Sequence, residues 1–192
     1  MAIQSDPPHS TQIAGGGIHE KPEWKIAVVT GVASGIGRAL AYALATEGCR
    51  LAISDINADG LSETTEHVKA KPTEVHSQEV DVSRKDQDNA FADEVRAKFG
   101  TVDLVINNAG VAVGRSVENM TYEDYEWIFG INFWGMVYGT KAFLPTLLKQ
   151  NEGHIANVSS VFGLIGVPSQ SGYNATKFAI RGFTEALRHE LI

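Results

Sequence analysis

The chain has 192 residues, 43% of them hydrophobic and 20% charged, with a formal net charge of −7; this is an ordinary soluble composition with enough length to bury a core. The acidic balance argues against a general nucleic-acid binder and against a binder of anionic membranes, since both need a basic face. Cys49 is the only cysteine, so no internal disulfide forms and a reducing, cytoplasmic setting is expected.

Residues 1–24 contain Pro7-Pro8 and Gly15-Gly16-Gly17 and lack the apolar stretch of a secretory signal. They read as a flexible N-terminal arm ahead of one domain over residues 25–192. No apolar run reaches the ~18 residues that a membrane span needs. From residue 25 the pattern alternates. "KIAVVT" (25–30) reads as a buried strand, and Ile36, Ala39, Leu40, Ala43 and Leu44 form an apolar helical stripe closed by Gly48. "RLAISD" (50–55) is a second strand, and Leu61 and Val68 mark a more polar helix. "EVHSQEVDV" (74–82) alternates like a third strand. Ser83 is placed to cap the next helix, which carries Phe91, Val95 and Phe99 on one face and ends at Gly100.

"VDLVIN" (102–107) is a fourth strand. "TYED" (121–124) resembles a capping box and opens a long helical stretch to about Lys149, broken near Gly135. "GHIANVSS" (153–160) is a fifth strand, and a last helix runs from near Ser171 to the end. Strands alternating with helices imply an α/β fold, a Rossmann-type doubly wound parallel sheet in a three-layer αβα arrangement.

Between the first strand and the first helix lies "TGVASGIG" (30–37). Gly31, Gly35 and Gly37 let the backbone turn tightly and approach a pyrophosphate at the helix N-terminus. No lysine follows, so a triphosphate loop of the Walker type is excluded, and Ser34 is not in a hydrolase elbow. By itself the loop also reads as a ligand-free glycine turn. Asp55, ending the second strand, stands where an acid reaches the ribose 2′-hydroxyl of NAD and repels a 2′-phosphate, although it also reads as a solvated strand-end aspartate. Arg38 is read as a helix-surface residue. NAD is therefore preferred to NADP.

With this loop, "NNAG" (107–110), "NVSS" (157–160) and "YNATK" (173–177) in that order, the chain resembles the short-chain dehydrogenase/reductase family over about residues 25–192. The resemblance implies an NAD(P)-dependent oxidoreductase acting on an alcohol or carbonyl. Tyr173 would be the general acid/base, Lys177 would hold the nicotinamide ribose and favour the ionised tyrosine, and Ser160 would bind the substrate oxygen. Asn132, in "GINFWG", would anchor a water in the proton relay. Gly31, Ser34, Gly35, Ile36 and Gly37 would hold the dinucleotide with Asp55. Asp81 and Val82 would line the adenine pocket, and Asn108, Ala109 and Gly110 would pass beside the cofactor. A free tyrosine titrates near ~10, and a cation one helical turn away favours the phenolate.

Each residue also has a plain structural reading: Asn132 as a buried amide satisfied by backbone, Ser159 and Ser160 as turn residues, Tyr173 and Lys177 as an exposed helical pair. Their joint occurrence in order decides for the catalytic set. His154 reads as structural, no residue spacing suggests a metal site, and Phe133, Trp134, Phe143 and Leu147 read as core or helix-interface residues. The triplets at Asn119, Asn157 and Asn174 are read as chance matches to a glycosylation signal.

Family domains run to roughly 250 residues, so the sequence is expected to lack the C-terminal strands and the lid over the substrate. An alternative follows: a catalytically inactive module that binds a dinucleotide or a partner. The resemblance also implies a homodimer or homotetramer. The apolar, small residues of 111–116 and 163–170 point to an apolar alcohol or ketone.

Overall fold

The structure, a computed structural model, describes residues 25–191; the expected N-terminal arm lies outside the described residues. Five strands, β1 (Ile26–Thr30), β2 (Arg50–Asp55), β3 (Val75–Glu79), β4 (Leu104–Asn107) and β5 (His154–Asn157), form one parallel sheet in the order β3-β2-β1-β4-β5. They alternate with α1 (Gly35–Thr46), α2 (Ala58–Lys69), α3 (Lys85–Phe99), α4 (Tyr122–Phe129), α5 (Met136–Gln150) and α6 (Ser171–Glu190). The winding direction reverses between β1 and β4. In such sheets ligands bind outside the carboxyl ends of the strands at that point.

Both faces of the central strands are covered, which is why those strands are nearly all apolar. Successive residues point to opposite faces. Ala27, Val29, Leu51 and Ile53 pack with Ala41, Ala45, Leu61 and Val68 of α1 and α2. Ile26, Val28, Ala52 and Val105 pack with Phe91, Val95, Phe143 and Leu147 of α3 and α5. The doubly wound αβα architecture expected from the sequence is therefore the fold. Among the described residues no helix is long and apolar enough to cross a membrane.

Several local expectations change. The buried line of α1 is Gly37, Ala41 and Ala45, whereas Ile36 is 66% exposed. Small residues, not the larger apolar ones, face the sheet and let the helix lie close to it. β3 stops at Glu79 rather than 82 because the chain turns: the Asp81 carboxylate accepts the Ser83 N–H at 2.9 Å and the Ser83 hydroxyl at 2.7 Å. Ser83 is thereby used in the turn, and Arg84 takes the N-cap position of α3. The Thr121–Asp124 capping box of α4 forms as expected. The break expected near Gly135 is a π-helical segment, Gly130–Gly135, joining α4 to α5. A Cβ at Gly135 would lie 2.9 Å from a Val82 methyl, so the glycine lets this segment press on the loop after β3.

A polar chain crosses the apolar packing on the α5 and α6 side. The Asn107 amide donates to Thr140 Oγ1 at 3.1 Å and to Asn157 Oδ1 at 2.8 Å, and the Asn157 amide donates to Thr184 Oγ1 at 3.0 Å. Thus β4, β5, α5 and α6 are joined by side-chain hydrogen bonds as well as by apolar contact.

Candidate active site

The glycine loop supplies the floor of a cleft of about 650 Å³ at the carboxyl ends of β1, β2 and β4. Gly31 and Gly35 have φ of +74° and +54°, the left-handed region that glycine adopts without strain. A Cβ at Gly37 would stand 2.0 Å from the Gly31 carbonyl oxygen, so the loop closes on the first turn of α1 only because that side chain is missing. Ser34 is the N-cap of α1, and its side chain makes no capping bond. The N–H groups of the first turn are left for an anion, and the helix dipole favours one there.

Asp55 closes β2 with its carboxylate oriented by two backbone groups. Its Oδ2 accepts the Ala33 N–H at 2.8 Å and its Oδ1 accepts the Asn57 N–H at 2.9 Å. Asn57 in turn caps α2 through the Gly60 N–H. The Arg38 guanidinium donates to the Ala33 carbonyl and pairs with Glu63 at 2.9 Å, so it is turned toward α2.

The opposite wall comes from the segment after β4. Asn108 donates to the carbonyls of Thr30 at 2.9 Å and Gly31 at 3.1 Å, and the Thr30 hydroxyl accepts the N–H groups of Asn108 and Ala109 at 3.1 Å each. A Cβ on Gly31 would lie 2.7 Å from the Ala109 Cα. The glycine loop and the "NNAG" segment are therefore one rigid unit, with Gly110 beside the Lys177 ammonium.

Tyr173 and Lys177 project from α6. Lys177 Nζ lies 5.5 Å from the Tyr173 ring centroid and donates to the Val158 carbonyl at 2.8 Å. Lys177 is buried, and burial holds its ammonium below the usual pKa of a lysine. Ser159 Oγ donates to the Lys177 carbonyl at 3.0 Å, which fixes the strand end against the helix. Ser160 Oγ accepts the Phe162 N–H at 3.2 Å, the first bond of a 3₁₀ turn over Val161–Gly163; its own proton is then free to point outward.

Of the residues singled out in the sequence, Gly31, Ser34, Gly35, Ile36, Gly37, Asp55, Asp81, Val82, Asn108, Ala109, Gly110, Ser160, Tyr173 and Lys177 line this cleft. Asn132 does not. Its side chain is buried behind the wall, where Oδ1 accepts the Val111 N–H at 2.8 Å and Nδ2 donates to the Val111 carbonyl at 2.9 Å and to Thr176 Oγ1 at 3.1 Å. The plain reading of Asn132 as a buried amide satisfied largely by backbone describes its side chain. Sequence reasoning missed Thr30, Ala33, Val158 and Thr176. Thr30 could have been found as the strand-end hydroxyl before the glycine loop; Ala33 and Val158 act through backbone atoms, which leave no signal in side-chain chemistry.

Residues 25–192 match the family model described as short chain dehydrogenase. The protein SadH of Mycobacterium tuberculosis is 51% identical over 170 residues, covering 88% of this chain and 62% of the relative. A short chain dehydrogenase/reductase from Burkholderia phymatum, solved in complex with NAD, is 40% identical with a TM-score of 0.86, over 88% of this chain and 61% of that one. An NAD⁺-bound xylitol dehydrogenase is 32% identical with a TM-score of 0.84, over 87% of this chain and 65% of that one. The chain thus spans about three-fifths of the length of the first of these relatives.

Proposed function

Because this chain belongs to the short-chain dehydrogenase family, we propose that it moves a hydride between a nicotinamide cofactor and a secondary alcohol or its ketone. One observation carries the reading: the Tyr173 phenol, the Lys177 ammonium and the Ser160 hydroxyl line the same cleft as a glycine loop at a helix N-terminus. The loop fits a dinucleotide because its backbone is stripped of side chains where a pyrophosphate would lie and its first-turn N–H groups carry no side-chain cap. When bound, the nicotinamide supplies the hydride acceptor.

The chain's own groups supply position and the proton path. Ser160 offers its hydroxyl proton to the substrate oxygen. In oxidation Tyr173 Oη takes the alcohol proton as the carbon gives up its hydride, and in reduction it returns the proton to the forming alkoxide. The Lys177 ammonium, 5.5 Å from the centre of the Tyr173 ring, offers its remaining donors to a ribose. Asn132 holds Val111 and Thr176, and so the wall beside Gly110, in place.

NAD is the preferred cofactor. The Asp55 carboxylate is fixed as an acceptor for a ribose hydroxyl, and its charge opposes a 2′-phosphate. Arg38, the nearest cation on the loop side, is engaged with Glu63 and the Ala33 carbonyl. Exposed Val161, Leu164 and Ile165 flank Ser160 and favour an apolar substrate. Half-exposed Trp134 and Phe178 give α6 and the segment before α5 apolar outer faces suited to pairing with a second copy, as a homodimer or homotetramer. The single buried cysteine suits a reducing cytoplasm.

The test is calorimetric titration with NAD⁺ and NADH formation over a panel of secondary alcohols. The reading requires NAD⁺ binding and turnover of at least one alcohol, with turnover lost in Tyr173→Phe. Wild-type turnover in Tyr173→Phe would overturn the mechanism, and absence of NAD⁺ binding would overturn the function.

A further inference from the structure

Asn174 follows Tyr173 on α6 and does not line the cleft, yet it is 9% exposed and its amide is spent entirely on one loop. Its Nδ2 donates to the Phe162 carbonyl at 2.7 Å and to the Ile165 carbonyl at 2.7 Å, while Oδ1 accepts the Val167 N–H at 3.1 Å. Two carbonyls on one end and an N–H on the other fix which way the amide faces. No ionised or hydroxyl side chain of the same size satisfies this pattern, because two donors and an acceptor must diverge from one planar group.

Two further features press the same loop onto α6. A Cβ at Gly163 would lie 2.7 Å from the Lys177 carbonyl oxygen and 2.7 Å from Ser159 Oγ, so only glycine lets the 3₁₀ turn lie this close to the helix. The Phe162 ring packs edge-on against the Tyr173 ring at 5.8 Å. The loop between these contacts carries Leu164 and Ile165, which are 58% and 55% exposed just beyond Ser160.

We propose that Asn174 is the positioning residue for the apolar wall of the substrate site, holding Phe162–Val167 on α6 so that Leu164 and Ile165 set which substrates fit. This rests on the oxidoreductase reading above for its consequence in catalysis, but the clamp itself does not. Asn174 touches neither the glycine loop nor Asp55, so the pyrophosphate and Asp55 end of the cofactor site is outside its reach. Its loss frees the wall without removing the Tyr173 phenol or the Lys177 ammonium. Substrates that depend on the wall then lose affinity, and substrates too small to reach it do not.

The experiment has two arms on the full chain. In the wild type, amide hydrogen exchange at Val167 is slower than at neighbouring Gly166 by at least about tenfold, since the Val167 N–H is bonded to a buried side chain. In Asn174→Asp, which keeps the shape but turns a carboxylate toward two carbonyls, exchange over residues 162–167 quickens by at least about tenfold while the NAD⁺ Kd stays within about twofold. Asn174→Ala gives the same result if the aspartate variant is too unstable to measure. With 2-octanol and 2-propanol as probes, KM for 2-octanol rises by about tenfold and kcat stays within about threefold, while both constants for 2-propanol hold. Unprotected Val167 in the wild type, or unchanged exchange over 162–167 in both variants, overturns the clamp. Loss of kcat and NAD⁺ affinity together overturns the positioning role, because it marks a general collapse of the cleft. If the wild type oxidises neither alcohol, the exchange arm still decides the clamp, and the failure belongs to the oxidoreductase reading.

Discussion

The Lys177 ammonium donates to the Val158 carbonyl at 2.8 Å, tying the helix that carries Tyr173 to the end of β5. The lysine charge is thus held by a backbone dipole in a buried place, one residue from Ser159, whose hydroxyl donates to the Lys177 carbonyl.

This predicts the alkaline behaviour of Lys177. Burial lowers its pKa from the usual 10.5, because desolvation disfavours the cation. The folded chain therefore releases this proton before the unfolded chain does. The burial penalty on stability is fully present below the lowered value and is relieved as pH rises from it toward 10.5. Activity moves the other way: kcat/KM falls on the alkaline side below pH 10.5 as the ammonium is lost. A pH–rate profile checks it, and Lys177→Met lowers kcat/KM by at least about a hundredfold at neutral pH.

Asp88 is the second titrating group to follow. It is 2% exposed on α3, its Oδ2 has no hydrogen-bond partner, and burial, with the Asp81 charge added, pushes its carboxyl up to about 8. The folded chain keeps this proton up to about pH 8, whereas the unfolded chain loses it near 3.8. The contribution to stability is complete below about pH 3.8 and is lost as pH rises through 8. Asp88→Asn, the shape of the protonated acid, flattens the fall in thermal midpoint between about pH 5 and 8.5 and stabilises the chain at pH 8 by roughly 1–3 kcal/mol. An unchanged pH slope in the variant would refute the assignment.

Gly37→Ala tests the loop. The added methyl meets the Gly31 carbonyl, a backbone atom that cannot swing aside. The loop opens, NAD⁺ affinity falls by more than about tenfold, and stability drops by about 1–3 kcal/mol. Gly100→Ala is the control for stability: it meets no atom within 4 Å but forces a residue at φ +78°, so it costs stability and leaves NAD⁺ affinity unchanged.

Asp55→Ser tests cofactor choice. Removing the carboxylate takes away the acceptor for the ribose and the repulsion of a 2′-phosphate together. The ratio of kcat/KM for NAD⁺ over NADP⁺ is expected to fall by at least about tenfold. A ratio unmoved by the change would remove Asp55 from the discrimination.

The alternation of strands and helices was legible because both faces of the sheet are covered, which leaves runs such as Ile26–Val29 almost wholly apolar. The glycine loop, Asp55, Ser160, Tyr173 and Lys177 were legible because their chemistry lies in their side chains or in the lack of one. The turn at Asp81–Ser83 was hidden because an alternating pattern continues through a turn when side-chain oxygens replace ladder bonds. The buried face of α1 was hidden because alanines pack where leucines are counted. The place of Asn132 required knowing that the π-helical segment turns its amide toward Val111, a matter of three-dimensional path rather than of spacing. Asn174 looked like a chance triplet because its partners are backbone atoms of a loop that has no side-chain signature.

The chain of amides and hydroxyls from Asn107 through Asn157 to Thr184 has a further consequence. Apolar surfaces tolerate sliding, since one methyl contact replaces another at little cost. Hydrogen-bonding groups inside a core do not, since each shift strands a donor. The seam therefore acts as a key for alignment: α6 seats on the sheet at one longitudinal setting, two turns beyond Lys177 and away from the chemistry. Mutations of the surrounding methyl groups should change how firmly the helix is held, whereas mutations of the seam should change where along the sheet the tyrosine arrives.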